Sequence, residues 1–112
     1  MFINLTPHEI LILKAEDVGD GLIKVPPSGE VLRLDEDVQE WSTIEKIPVV
    51  TKTYRIENLP DEKPGVWYLV SSMVLAYVPV ARVDFLAPDT GVGSAIRNEK
   101  GQIIAVKRLM AP

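Results

Sequence analysis

Ser94-Ala-Ile-Arg-Asn-Glu-Lys-Gly-Gln-Ile-Ile-Ala-Val106 decides the fold class. Two short runs of apolar and β-branched residues flank Asn98-Glu-Lys-Gly101, a polar tetrad ending in glycine. That pattern predicts a tight hairpin with Ala95 to Arg97 paired against Ile103 to Val106. The same grammar extends outward along the chain. Nine prolines and seven glycines cut it into pieces that alternate or run apolar for a few residues. Strands are expected near Phe2 to Leu5, Ile10 to Lys14, Leu22 to Val25, Glu30 to Leu34, Pro48 to Tyr54, Trp67 to Ser71, Asp84 to Ala87, Ser94 to Arg97 and Ile103 to Leu109. Leu22 to Val25 and Glu30 to Leu34 read as a second hairpin, turned at Pro27-Ser28-Gly29.

Only Ser71-Ser-Met-Val-Leu-Ala-Tyr77 predicts a helix: a serine N-cap precedes good helix formers, and Pro79 ends it after about two turns. Asp35 to Ile44 stays unassigned, with a helical turn around Val38 and Trp41 as one option. The expected architecture is mostly β, or α+β: a small antiparallel, sheet-rich single domain over residues 1–112 with one short helix. Short strands leave several unpaired edges, so assembly into a homo-oligomer is expected, with clefts between subunits.

Composition excludes several chemistries. The 112 residues include no cysteine and one histidine, His8. A disulfide framework, a thiolate metal site and a Cys nucleophile are therefore removed, and most His-based metal or triad schemes with them. No basic segment followed by a long apolar run opens the chain, and no stretch approaches about 18 uninterrupted apolar residues. A cytoplasmic protein without a membrane span is the expectation. Charge is uneven: residues 15–45 hold nine acids against Lys24 and Arg33, a net of −7, whereas residues 94–112 carry +3 from Arg97, Lys100, Lys107 and Arg108 against Glu99. Duplex DNA needs a broad basic face that releases many counterions, which an acidic chain does not offer. A small anion at the basic end remains compatible.

Two motifs invite function and have plainer explanations. Asn4-Leu-Thr-Pro-His8 sets polar groups in an apolar frame, a pattern that Asn and Thr side chains satisfy by capping turns. Asp89-Thr-Gly91 resembles the triplet of aspartic proteases, which need a second copy to share a proton, yet its neighbours lack the apolar frame of such a dyad. The glycine-rich loop also lacks the Lys-Ser/Thr ending of a phosphate-binding loop and opens a strand instead of a helix. It leaves amides and hydroxyls at Asp89 and Thr90 near the basic hairpin. Arg55, Arg97 and Arg108 are the candidate anion ligands, since a guanidinium forks onto phosphate oxygens. Lys107 and Arg108, as strand neighbours, face opposite sides. Tyr54 and Phe85 are candidate stacking faces for a base, against an ordinary role in the core. Ser71, Ser72 and Met73 form an alternative pocket, where a helix start would meet phosphates.

Asn4-Leu-Thr-Pro-His8, Ile47-Pro-Val-Val50 with Leu59-Pro60, Gly65-Val-Trp-Tyr-Leu-Val-Ser71 and Arg97-Asn-Glu-Lys-Gly-Gln-Ile-Ile-Ala-Val-Lys107 together resemble a phage-encoded family, the type 1 Thoeris anti-defence proteins. The resemblance spans nearly the whole chain. It implies a strand-rich protein that assembles as dimers and hexamers and acts as a nucleotide sponge. Such a protein holds cyclic ADP-ribose isomers, made by bacterial TIR-domain enzymes, intact in pockets between subunits; some members also bind cyclic oligonucleotides at separate sites. No enzyme activity and no cofactor are implied. Arg55, Phe85, Arg97 and Arg108 are of the residue types a pyrophosphate and an adenine require, and they are chosen on chemistry and not carried over from family positions. Two rival readings are a phage structural or protein-interaction module whose hairpins extend a partner sheet, and a hydrolase using carboxylates such as Asp84 and Asp89.

Overall fold

The computed structural model describes residues 1–13 and 21–112. The expected end of the second strand at Lys14, and the acidic residues Glu16, Asp17 and Asp20, lie outside the described residues. The protein is sheet-rich with one short helix. The described strands are β1 (Phe2–Asn4), β2 (Ile10–Leu13), β3 (Leu22–Val25), β4 (Leu34–Ile44), β5 (Ile47–Ile56), β6 (Trp67–Leu69), β7 (Phe85–Pro88), β8 (Ala95–Arg97), β9 (Ile103–Val106) and β10 (Leu109–Met110). Helix α1 (Ser72–Leu75) lies between β6 and β7.

One four-stranded sheet runs β1-β6-β7-β10 and forms the middle layer. Its strands alternate, so its two faces bury different residues. Tyr68, Val70, Phe85 and Ala87 face Val74, Leu75 and Val78 of the helical segment, together with Leu5 and Leu32. Leu69 points the other way and meets Ile10, Ile12, Val25 and Val106 of the second sheet, β3-β2-β9-β8, with Phe2, Leu86 and Leu109 at the margin. A buried apolar side chain of this size contributes about 2 kcal/mol, so these two clusters are where the fold is held.

Both sheets are mixed, which corrects the expectation of an antiparallel domain. β1 pairs with β6, β6 with β7, and β2 with β9 in parallel. Each parallel pair is joined by a long excursion of chain, as parallel geometry requires. The hairpin over Ala95–Arg97 and Ile103–Val106 forms as expected, with a register shift between Ile96 and Arg97. The hairpin over residues 22–34 does not form. β3 pairs instead with β2, Ile10 opposite Val25 through Leu13 opposite Leu22. Pro26 and Pro27 carry no N–H, so the strand ends there. The following chain is tied to the middle layer, Ser28 N–H donating to Asn4 O at 3.0 Å and Leu32 N–H to Leu5 O at 3.0 Å.

Residues 35–44 are strand, with no helical turn at Val38 or Trp41. They form most of β4, which pairs with β5 in a two-stranded ribbon, Leu34 opposite Ile56 at one end and Ile44 opposite Ile47 at the other, with a bulge at Trp41. The turn at its tip sets Glu45 and Lys46 at positive φ, 50° and 69°. The ribbon projects. The radius of gyration is 17.2 Å, against about 13 Å for a compact domain of this length. The longest dimension reaches 59 Å.

The expected last strand, Ile103 to Leu109, is broken into β9 and β10 because the buried Ser94 hydroxyl accepts the amides of both Lys107 (3.1 Å) and Arg108 (3.0 Å). The helix is also shorter than expected. Ser71 caps it, its Oγ accepting Val74 N–H at 3.2 Å, and regular α geometry ends at Leu75.

Candidate functional site

Where the ribbon leaves the domain, four segments converge on one open cavity of about 380 Å³. β4 and β5 supply Leu34, Glu36 and Tyr54, the helix start supplies Ser71, Met73 and Val74, and residues 31–33 and 5–7 complete the wall. The volume falls in the range of small-molecule pockets. Its floor is apolar, from Leu5, Leu32 and Val74, which belong to the core. At the rim, Tyr54 lies against Tyr77 with ring centroids 5.3 Å apart and planes tilted by 52°. The cationic wall residue is Arg33, exposed and in no ion pair among the described residues.

The opening motif buttresses this wall. Asn4 is buried, and its side-chain amide donates to His8 O at 2.8 Å and Val25 O at 3.0 Å, while Oδ1 accepts Thr6 N–H at 2.9 Å and Thr6 Oγ1 at 2.7 Å. All four bonds are structural. They hold Leu5-Thr-Pro7 against the cavity.

Ser71 and Met73, two of the alternative candidates, line this cavity, and Ser72 is exposed beside them. A helix of four residues has little dipole, however, and the Ser71 hydroxyl is engaged in capping. Met73 is exposed and offers an adaptable apolar surface.

Phe85 has 0% exposure, so its selection as a stacking face is corrected. It stacks on Tyr68 at 5.1 Å between centroids, and Arg82 lies over its ring at 4.9 Å. An alternating strand puts Phe85 on the core side of the middle sheet, where no base reaches it.

The expected arginines are distributed. Arg108 and Asp89 come together, with Nε to Oδ2 at 3.0 Å and Nη2 to Oδ2 at 2.9 Å, and Asp89 Oδ1 also accepts Gly91 N–H. The exposed Thr90 lies in the same loop, which Arg108 Nη2 reaches again at Val92 O, 3.4 Å. Arg97 spans its own hairpin and donates to Gly101 O at 2.7 Å. Arg55 pairs with Glu57 at 3.2 Å, in a shallow polar recess with Asp35, Asp37 and Thr53 that shares Glu36 and Tyr54 with the main cavity. These are exposed contacts of about 0–1 kcal/mol each, so an incoming phosphate displaces them at small cost.

Asp84 has a different role from the carboxylate a hydrolase would need. It is buried and gripped by Arg82. Sequence reasoning missed Arg33 and Thr6 as cavity residues. Arg33 falls within the expected hairpin of residues 22–34, so its place on the wall of the same cavity as Tyr54 is not readable from strand pairing alone. No protein-family model, curated protein or solved structure matches this chain.

Proposed function

We propose that this protein sequesters a small anionic nucleotide, of the cyclic ADP-ribose class, without altering it, and so withholds a signal of bacterial anti-phage defence. The observation that carries this reading is the cavity at the ribbon base. It offers an apolar floor, a tyrosine edge and the guanidinium of Arg33, in no ion pair among the described residues, within one volume of about 380 Å³, the combination a base linked to a pyrophosphate calls for. The resemblance over the opening, central and closing motifs points the same way. The cavity is open on one side, and a second subunit of a homo-oligomer is its natural lid. Arg55, Arg97 and Arg108 act in this reading from surfaces that assembly brings to the pocket, with Asp89 holding the loop beside Arg108 and Thr90 exposed within it.

Native mass spectrometry with a panel of cyclic ADP-ribose isomers and cyclic oligonucleotides tests it. Uptake of one compound, recovered at unchanged mass after heating, is the expected result. Recovery at altered mass would make the protein an enzyme, and no uptake at any concentration would discard sequestration. A second reading, a protein-interaction module, is favoured by the outer edges of β4 and β5, which pair with no further strand among the described residues and so offer N–H and C=O groups to a partner strand.

A further inference from the structure

The cavity at the ribbon base has two charged wall residues of opposite sign, Arg33 and Glu36. Three residues of chain separate them, at most about 10 Å, so a ligand in the cavity meets a cation at one end and a carboxylate at the other. Glu36 stands directly opposite Tyr54 in the β4–β5 register, which sets their Cβ atoms about 4.5–5.5 Å apart on one face of the ribbon. A ring lying on Tyr54 therefore brings the sugar attached to it within reach of this carboxylate. Lys52 pairs with Glu36 at 3.3 Å, and both side chains are about half exposed. One ion pair leaves acceptor capacity to spare, since the two oxygens of a carboxylate accept about four hydrogen bonds.

A carboxylate in the wall of an anion-binding cavity opposes the anion unless something other than a phosphate meets it. Ribose hydroxyls are such a group, because they donate and an ionised carboxylate only accepts. Dinucleotide-binding folds use the same chemistry: an Asp or Glu takes the ribose 2′ hydroxyl, and an arginine nearby accommodates a 2′-phosphate where one is bound. The shallow recess that shares Glu36 keeps the field at that end negative, with Asp35 and Asp37 against Arg55, which Glu57 already engages.

We infer that Glu36 is a specificity-determining residue of this cavity: its carboxylate accepts the hydroxyls of an unphosphorylated ribose and turns away a ligand that carries a phosphate there. The pyrophosphate lies toward Arg33, the base against Tyr54 and the ribose hydroxyls on Glu36, whose carboxylate the Lys52 ammonium holds in place. A phosphate on the 2′ oxygen removes a donor and sets at least one further negative charge against Glu36. The cavity thus takes the unphosphorylated member of a nucleotide pair and rejects the phosphorylated one through a repulsive element as much as an attractive one. The inference rests on the sequestration reading and names which members of that nucleotide class the site admits.

Isothermal titration of the full chain with two matched pairs, cyclic ADP-ribose and its 2′-phosphate, and ADP-ribose and its 2′-phosphate, tests it. Wild type is expected to bind the unphosphorylated member of a pair about tenfold or more tightly than the phosphorylated one. Glu36→Gln is expected to weaken binding of the first severalfold and to tighten binding of the second relative to wild type, so that the preference shrinks to about threefold or less. Shifts of opposite sign separate specificity from a structural role, because damage to the cavity weakens both members alike. The melting temperature is expected to stay within a few degrees of wild type, since an exposed ion pair contributes little to stability. Should Glu36→Gln fail to fold, Lys52→Gln carries the test: without its cation the carboxylate repels the 2′-phosphate more strongly, and the preference is expected to widen. Equal affinity of wild type for both members, or a preference that Glu36→Gln leaves unchanged, would overturn the inference and leave sequestration standing. No binding of any of the four compounds would overturn it as well, and the native mass spectrometry panel then shows whether sequestration falls with it.

Discussion

The Arg82 guanidinium meets the Asp84 carboxylate fork to fork across a single intervening residue, Nε to Oδ1 at 2.9 Å and Nη2 to Oδ2 at 2.8 Å. Arg82 also covers the ring of Phe85 and reaches Glu62 at 3.8 Å. One side chain thus anchors the entrance to β7, the strand that carries the centre of the core. The bidentate bond from Arg82 holds the Asp84 carboxyl below the usual carboxylate range, against burial, which opposes its charge. The partner guanidinium is raised above its ordinary value by the same bond.

Asp84→Asn is expected to cost about 2 kcal/mol at neutral pH, since it leaves Arg82 beside the core with only the exposed carboxylate of Glu62, 3.8 Å away, as a charged partner. The pH dependence has a definite sign. A depressed folded pKa means a contribution that is complete above the unfolded value of 3.8 and lost as pH falls through the folded value. The stability gap between wild type and Asp84→Asn should therefore close in acid below about pH 4 and stay constant from pH 5 to 8, as urea unfolding across pH would show. A gap that widens in acid would refute it.

Asn4→Ala is expected to destabilise by about 2–3 kcal/mol, because it removes the buried side-chain donor to the His8 and Val25 carbonyls and the acceptor of the Thr6 amide at once. Asn4→Asp should be no better, since a carboxylate cannot donate to either carbonyl. Thermal melts followed by circular dichroism check both. A neutral effect in either would mean that the geometry of the opening motif is held by something other than these bonds.

Phe85→Ala and Tyr54→Ala separate the two aromatics that sequence reasoning treated alike. The first removes a fully buried ring and is expected to cost about 3–5 kcal/mol. The second removes a half-buried ring at the cavity rim, with an expected cost of about 1 kcal/mol or less and a loss of nucleotide affinity of roughly tenfold or more. Denaturation midpoints and isothermal titration, run on both, read these effects independently.

Arg33→Ala, Arg97→Ala and Arg108→Ala are each expected to weaken nucleotide binding by roughly tenfold or more while shifting the unfolding midpoint little, given their exposure and the small worth of surface ion pairs. Arg108→Lys should recover only part of the loss, because a lysine makes no fork. Unchanged binding in Arg97→Ala or Arg108→Ala would remove those residues from the site and leave the cavity around Arg33 and Tyr54.

Local chemistry made part of this protein legible in its sequence. The hairpin closed by Asn98-Glu-Lys-Gly101, the Ser71 cap, the apolar strand 67–69 and the alternating strand 85–88 follow from turn geometry, capping and the local run of apolar residues, so they needed no distant partner to be read. The capping role of Asn4 was legible for the same reason. What partners decide was not. Leu22–Val25 and residues 30–34 look like a hairpin locally, yet β3 gains more by burying Ile23 and Val25 against β2, while Pro26 and Pro27 end the strand. Residues 35–44 carry an ambiguous period, and only the facing β5 made them strand. Phe85 and Tyr54 are alike as residues. The parity of their strands, set by which sheet each joins, sent one into the core and left the other at the cavity, because a side chain's environment is a property of the face it lands on and no single strand determines that alone.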